Sequence, residues 1–397
     1  MRVLIAGGGT GGHLYPGIAI AEEVTRRPGG QVLFVGTARG LETRLVPAAG
    51  FSLELLDVSG LNRVGIGRLL KGLLRLPKAF FESRGILKRF RPDLVIGVGG
   101  YASGPLVLTA ALLGYPTAIQ EQNSQPGFTN RVLGRFVRRV FIAFDDAAGF
   151  FARRKTLLAG NPVRRKFLEA HDRSSAAAPP GAATAATAAT AAPAPAAMAS
   201  TTSPAPGSLT LLVVGGSQGA RAVNDLVIGA AAILHGAGRL PHIVHQTGPS
   251  DEARVREGYA ALELTPWVDV RSFIEDMPVT LAAAALVIGR AGALTLAELA
   301  MVGCPAILIP LPTAADDHQS RNAAAFARAG AAVVADQRTT TPQVLAGLVG
   351  DLCGDADRRA AMSRAMTKLG RPTAAIQIVD ELERVAGVRT GGAEAHH

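Results

Sequence analysis

Cysteine is scarce in this chain: Cys304 and Cys353 are the only two thiols in 397 residues. Two such distant thiols exclude a disulfide framework and a cysteine-built metal cluster, and they suit a reducing compartment. Aromatic side chains are few as well, at 5%, which leaves little with which to stack single-stranded bases. Outside an alanine-rich stretch no run of about 18 uncharged apolar residues occurs, so no bilayer-spanning helix is expected. No signal peptide is expected either, because a strand-like run starts at residue 2. Carboxylates are outnumbered: 31 Asp and Glu face 41 Lys and Arg, a formal net charge of +10. Such a surplus fits an anionic partner, whether nucleotide, nucleic acid or membrane surface.

Glycine, by contrast, is abundant at 46 residues and gathers at the ends of apolar runs. The most informative cluster is Gly7, Gly8, Gly9, Thr10, Gly11, Gly12 and His13. A short apolar strand, residues 2–6, runs before it, and residues 14–24 carry apolar groups at helical spacing after it. Strand, glycine turn and helix together make an anion site: the backbone can come close, and the helix start offers unpaired N–H groups. Gly7, Gly9 and Gly12 also satisfy the dinucleotide pattern G-x-G-x-x-G. That pattern needs a carboxylate about 20 residues on, at the end of the second strand. The second strand, residues 31–35, is followed by Gly36 and Thr37, so a dinucleotide is not the expected ligand.

With 48% hydrophobic and 18% charged residues, a chain of this length can fill two ordinary cores. Apolar strands at 93–100, 117–123, 139–144 and 156–162 alternate with helical stretches, the pattern of a parallel sheet covered on both faces. Residues 174–208 are mostly Ala, Pro, Thr and Ser with no charged residue, and read as a disordered linker without chemistry. The architecture then restarts with a strand at 209–214 and a second glycine turn at 215–220. Further strands follow at 242–245, 268–271, 285–288 and 306–309. The expected fold class is α/β: two doubly wound, Rossmann-like domains, 1–165 and 209–370, facing a cleft. A last helix, 373–387, follows Pro372 and is expected to pack back on the first domain. Ligands of such sheets bind beyond the carboxyl ends of the strands.

Gly289, Arg290, Ala291 and Gly292 lead from a strand into a helix that carries Thr295 and Glu298. The helix start can face a diphosphate, Glu298 can accept from two ribose hydroxyls, and Arg290 can add charge beside the same anion. Asp316, Asp317, His318, Gln319 and Asn322 follow the strand at 306–309, and Gln319 and Asn322 carry groups suited to sugar hydroxyls. The paired aspartates lack an evident third ligand, and Asp355 with Asp357 reads as surface, so no metal site is expected. Residues 63–91 hold nine Lys or Arg and one acid, Glu82. On a helical wheel Ile66, Leu69, Leu70, Leu73 and Phe80 share one side, and Arg68, Lys71, Arg75 and Lys78 share the other. Such a segment can lie on an anionic membrane face.

Taken in order, nine motifs resemble the bacterial MurG family of UDP-N-acetylglucosamine transferases. They are residues 7–13 with Pro16 and Gly17; 97–101 with Ser103, Gly104 and Pro105; Glu121, Gln122 and Asn123; 160–164; 215–220; 245–248; 273–277; 290–298; and Asp317, His318 and Gln319. The resemblance spans nearly the whole chain apart from 174–208. It implies the GT-B architecture, with the donor held mainly by the second domain. The implied reaction is an inverting transfer of N-acetylglucosamine from UDP-GlcNAc to the 4-hydroxyl of undecaprenyl-diphosphate-MurNAc-pentapeptide. That is the lipid I to lipid II step of peptidoglycan synthesis, tied to cell shape and division.

By position in the family, the donor would touch Thr10, Gly11, Gly12, Asn123, Arg164, Ser217, Ile274, Ala293, Leu294, Thr295, Leu296, Ala297, Glu298 and Gln319. Ile274 would do so through its backbone, Thr295 and the helix start would hold phosphate, and Gln319 or the adjacent His318 would read the sugar. The acceptor side would comprise Gly9, His13, Gly99, Gly100, Tyr101 and Glu121. His13 is the expected general base, since an imidazole takes protons near neutral pH, with Glu121 as the alternative. UDP would be stabilised by helix N-termini and Arg164 instead of a metal, and no cofactor is required. The expected partners are UDP-GlcNAc, the lipid-linked acceptor, an anionic membrane and other cell-wall enzymes, but no nucleic acid. The expected location is peripheral, on the cytoplasmic face of the inner membrane. The rivals are another UDP-sugar enzyme of this fold (an epimerase or lipid glycosyltransferase) and a non-catalytic basic nucleotide- or nucleic-acid-binding protein.

Overall fold

Two parallel sheets organise the computed structural model, which describes residues 1–38, 40–57, 66–176, 209–216 and 219–388. The first contains β1 (Arg2–Gly7), β2 (Gln31–Gly36), β3 (Ser52–Leu55), β4 (Leu94–Gly99), β5 (Thr117–Glu121), β6 (Arg139–Ile142) and β7 (Thr156–Leu158). Their order is β3-β2-β1-β4-β5-β6-β7. The second contains β8 (Thr210–Val214), β9 (His242–Gln246), β10 (Val268–Arg271), β11 (Leu286–Gly289), β12 (Ala306–Leu308) and β13 (Ala332–Val334), in the order β10-β9-β8-β11-β12-β13. All strands are parallel, but the order in which they are added reverses between β1 and β4 and again between β8 and β11. A crevice opens at each of these switch points, and the glycine turns stand there.

Continuous apolar strands are explained by burial on both faces. Leu4 and Ala6 of β1 join a core with Leu106, Val107 and Ile119, whereas Val3 and Ile5 join one with Leu14, Ile18 and Phe34. The second domain repeats this with Leu211 and Val213 against Val227, and Leu212 against Leu296 and Leu299.

The final helix, Ala374–Ala386, stops at Gly387, whose φ of +71° suits a residue without Cβ. It buries Ile378, Val379 and Leu382 in the first domain's core, among Val3, Ile5 and Val24. Arg27 pairs with Asp380 at 2.7 Å and Arg139 with Glu381 at 2.8 Å. The helix Arg165–Ala176 runs three residues into the stretch read as linker, as alanine favours. Residues 177–208 lie outside the described residues.

Candidate active site

The first glycine turn joins β1 to the helix Gly11–Arg26. Its shape is held from outside the motif by Glu42, whose carboxylate accepts from the Gly9 N–H (2.8 Å), the Thr37 N–H (2.8 Å) and the Thr37 hydroxyl (2.8 Å). Burial opposes the charge on Glu42, but these donors outweigh it and hold the carboxyl below the usual carboxylate range. The turn after β4 closes over the first. Gly100 has φ +85°, and a Cβ there would lie 2.3 Å from the Gly8 carbonyl oxygen; at Gly99, φ +97°, it would lie 2.6 Å from His13 Nδ1. The two glycines therefore let β4 press its end against the His13 ring. Gln122, just beyond β5, lies 3.1 Å from the same Nδ1 through its Oε1. Tyr101 stands exposed at the rim.

Glu121 is differently employed. One carboxylate oxygen accepts from the Asn123 N–H (2.9 Å) and side-chain amide (3.3 Å), and the other from the Gly127 N–H (3.2 Å) and Asn130 Nδ2 (2.9 Å). With both oxygens occupied on a buried side chain, it braces the loop after β5. This geometry disfavours the alternative that made Glu121 the base.

Asn322 corrects the sugar-reading expectation. It is fully buried and clasps the domains together: its Oδ1 accepts the Ser124 N–H at 2.9 Å, and its Nδ2 donates to Asn123 Oδ1 and the Ala291 carbonyl, both at 3.2 Å.

On the opposite wall, the helix Ala293–Val302 starts at Gly292 with neither a side-chain cap nor a first-turn carboxylate. Its first N–H groups are left without a side-chain cap, which favours an anion. Glu298 is buried on its second turn, and Arg164 donates to its Oε1 at 2.8 Å. Burial pushes the Glu298 carboxyl up, and Arg164 pulls the other way. The Arg164 guanidinium also lies 4.6 Å from the centre of the Tyr15 ring, so it joins His13's helix to the helix Ala293–Val302. A cavity of about 260 Å³ between the domains is lined by Asn161, Ala293, Ala297 and Arg371, among others. Arg290, expected beside the anion, instead donates to the carbonyls of Ile309 (3.0 Å) and Pro310 (3.2 Å). Burial pulls its guanidinium below the ordinary arginine value.

The remaining candidates fall in several places. Thr10 and Gly12 are exposed at the first helix start, with Gly11 half-buried. Leu294 and Thr295 are half-buried on the second helix, while Leu296 is in the core. Ile274 has its side chain in the core, so only its backbone can face a ligand. Gln319 Oε1 accepts the Leu311 N–H at 3.0 Å, which leaves its amide nitrogen as the donating end. Ser217 lies outside the described residues, as do the side chains of Ile66, Arg68, Leu69, Leu70, Lys71, Leu73 and Arg75. Lys78 is already paired with Asp57 (2.6 Å) and Glu82 (3.6 Å), contrary to a free basic face. Phe80 is half-buried, and its neighbour Phe81 is the exposed ring at 66%. Asp355 caps the helix Ala356–Leu369, accepting the Arg358 N–H at 2.8 Å. Among the described residues no three His, Cys, Asp or Glu are grouped as a metal would need.

Sequence reasoning missed Glu42, and also the duties of Asn322 and Gln122. Only the last had a signal, its place beside Glu121 and Asn123.

Residues 3–142 match the glycosyltransferase family 28 N-terminal domain, and residues 210–378 match the glycosyltransferase family 28 C-terminal domain. The UDP-N-acetylglucosamine–N-acetylmuramyl-(pentapeptide) pyrophosphoryl-undecaprenol N-acetylglucosamine transferase of Anaeromyxobacter sp. (strain K) is 49% identical over 96% of this chain and 92% of its own length. Its Myxococcus xanthus counterpart is 48% identical over the same shares. The crystal structure of Acinetobacter baumannii MurG superposes with a TM-score of 0.73 at 30% identity, covering 96% of this chain and 99% of the other.

Proposed function

Since the chain belongs to glycosyltransferase family 28, we propose that it transfers N-acetylglucosamine from UDP-GlcNAc to the 4-hydroxyl of undecaprenyl-diphosphate-MurNAc-pentapeptide, with inversion. The observation that carries this reading is the meeting of two glycine-led helices, one from each domain, bridged by one arginine. The helix with His13 meets the helix with Glu298, and Arg164 spans from the Tyr15 ring to the Glu298 carboxylate. The full-length identity to the named transferases supports the substrate assignment.

In this mechanism His13 takes the proton of the attacking hydroxyl as that oxygen bonds the anomeric carbon. The sugar–diphosphate bond breaks, and UDP leaves with the electron pair. The start of the helix Ala293–Val302, with Thr295, and the guanidinium of Arg164 meet the leaving charge. Glu298 engages the ribose and Gln319 the sugar. Tyr101 and the turns at Gly9, Gly99 and Gly100 line the acceptor's approach. UDP-GlcNAc is a substrate, and the reading requires no further cofactor.

The lipid acceptor needs a membrane-facing surface. No helix among the described residues is long and apolar enough to cross a membrane. The basic amphipathic helix Ile66–Phe90 packs beside the helix Ser103–Leu112. Phe81 on the first and Leu112 on the second are 66% and 64% exposed. Exposed apolar groups among basic residues suit peripheral attachment to an anionic leaflet. The test is incubation with UDP-GlcNAc and a lipid-diphosphate muramoyl acceptor. UDP release that needs both supports the reading, and UDP release without acceptor, or none with both, defeats it.

A further inference from the structure

A neutral imidazole acts as a base only through the nitrogen that lacks a proton. In His13 that choice is made by Gln122. This side chain is 2% exposed, and its Nε2 donates to the Val98 carbonyl at 2.8 Å and to Gln120 Oε1. Both partners are acceptors, so this end of the amide is the nitrogen and the oxygen faces His13. An amide oxygen can only accept. His13 Nδ1, 3.1 Å away, must therefore carry the proton.

Gln120 continues the row by donating its Nε2 to Asn161 Oδ1 at 3.2 Å. Every bond points the same way, from the imidazole through Gln122 and Gln120 to Asn161. Hydrogen bonds aligned in series polarise one another, and the row presents an oxygen to the ring.

We propose that Gln122 is a positioning residue that fixes His13 as the Nδ1–H tautomer, leaving Nε2 as the nitrogen that takes the acceptor's proton. This rests on the base role of His13 given above. When Nε2 bonds the hydroxyl proton, the oxygen's electron pair forms the new glycosidic bond and UDP departs with the old one. The imidazolium then keeps Nδ1–H on Gln122 Oε1, so no side chain in the row has to turn as charge develops.

Proton–nitrogen correlation spectra of the full chain with isotope-labelled histidine test this, with His13 assigned by its loss in His13→Ala. The neutral ring of the parent is expected to carry its proton on Nδ1. Gln122→Met keeps the length without the amide. It is expected to release the proton to Nε2 and to lower kcat about 10-fold or more, part of the roughly 10²–10⁴ that a positioned base contributes. KM for UDP-GlcNAc should hold. A bare Nδ1 in the parent overturns the proposal even if Gln122→Met fails to fold, as does an unchanged tautomer in Gln122→Met. An Nδ1–H tautomer together with full turnover in His13→Ala keeps the positioning and removes the base role, which separates the two.

Discussion

Three side chains beside the first glycine turn differ in what they leave unpaired. Glu121 has both oxygens occupied by N–H donors, and Gln122 has its amide used at both ends. His13 alone offers a ring nitrogen outside this network. His13→Ala should therefore lower kcat by at least about 10² with UDP-GlcNAc affinity retained, measured by UDP release and by donor titration. Turnover close to the parent's would exclude the base role. His13 was legible because six neighbouring positions hold five glycines, a local signal. Asn322 was misread because its partners, Ser124 and Asn123, come from the other domain. Nothing within its own helix reports them.

At the level of elements, the glycine turn after β1 was legible as strand, turn and helix. Its brace was not, since Glu42 sits beyond β2 and reaches the turn only through the fold. Glu42→Gln would put an amide N–H against backbone N–H groups. A loss of about 1–3 kcal/mol is expected, read by urea unfolding, together with reduced kcat as His13 shifts. Stability unchanged within error would show that the carboxylate does not hold the turn.

β9 carries a second buried device. His245 accepts from the Tyr259 hydroxyl at 2.9 Å and donates to Asn224 Oδ1 at 3.1 Å. Burial drops its affinity for a proton to a pKa of about 3, against 6.5 ordinarily. The unfolded chain thus binds a proton first as pH falls. The stability this group contributes is complete above 6.5 and declines by up to about 1.4 kcal/mol per pH unit below it, until the folded ring also titrates near 3. Urea titrations at pH 7.5 and about 5 should show this slope in the parent and a shallower one in His245→Gln. Equal slopes would mean that other groups carry the acid sensitivity.

Across the whole molecule, two doubly wound domains were legible because the strand–glycine–helix opening occurs twice. The clasp at Asn322 and the bridge from Tyr15 through Arg164 to Glu298 were not. They depend on how two separately patterned units meet, which no hydrophobic period encodes. The proposed membrane attachment is read from the basic amphipathic pattern of residues 63–91 and is tested on the whole surface. Lys71→Glu with Arg75→Glu should weaken flotation with anionic liposomes by roughly 1 kcal/mol per reversed residue or more, while neutral liposomes bind little in either case. Unchanged flotation would move the contact elsewhere.

The helix Ala374–Ala386 closes the core of the domain in which the chain begins. The polypeptide is thus laced out and back, and one nick between residues 177 and 208 would yield fragments that still share an interior. Such halves should co-elute under native conditions and part only in denaturant. A fragment ending near residue 170 would lack the wall that this helix supplies and should be insoluble until a peptide spanning 371–388 is supplied.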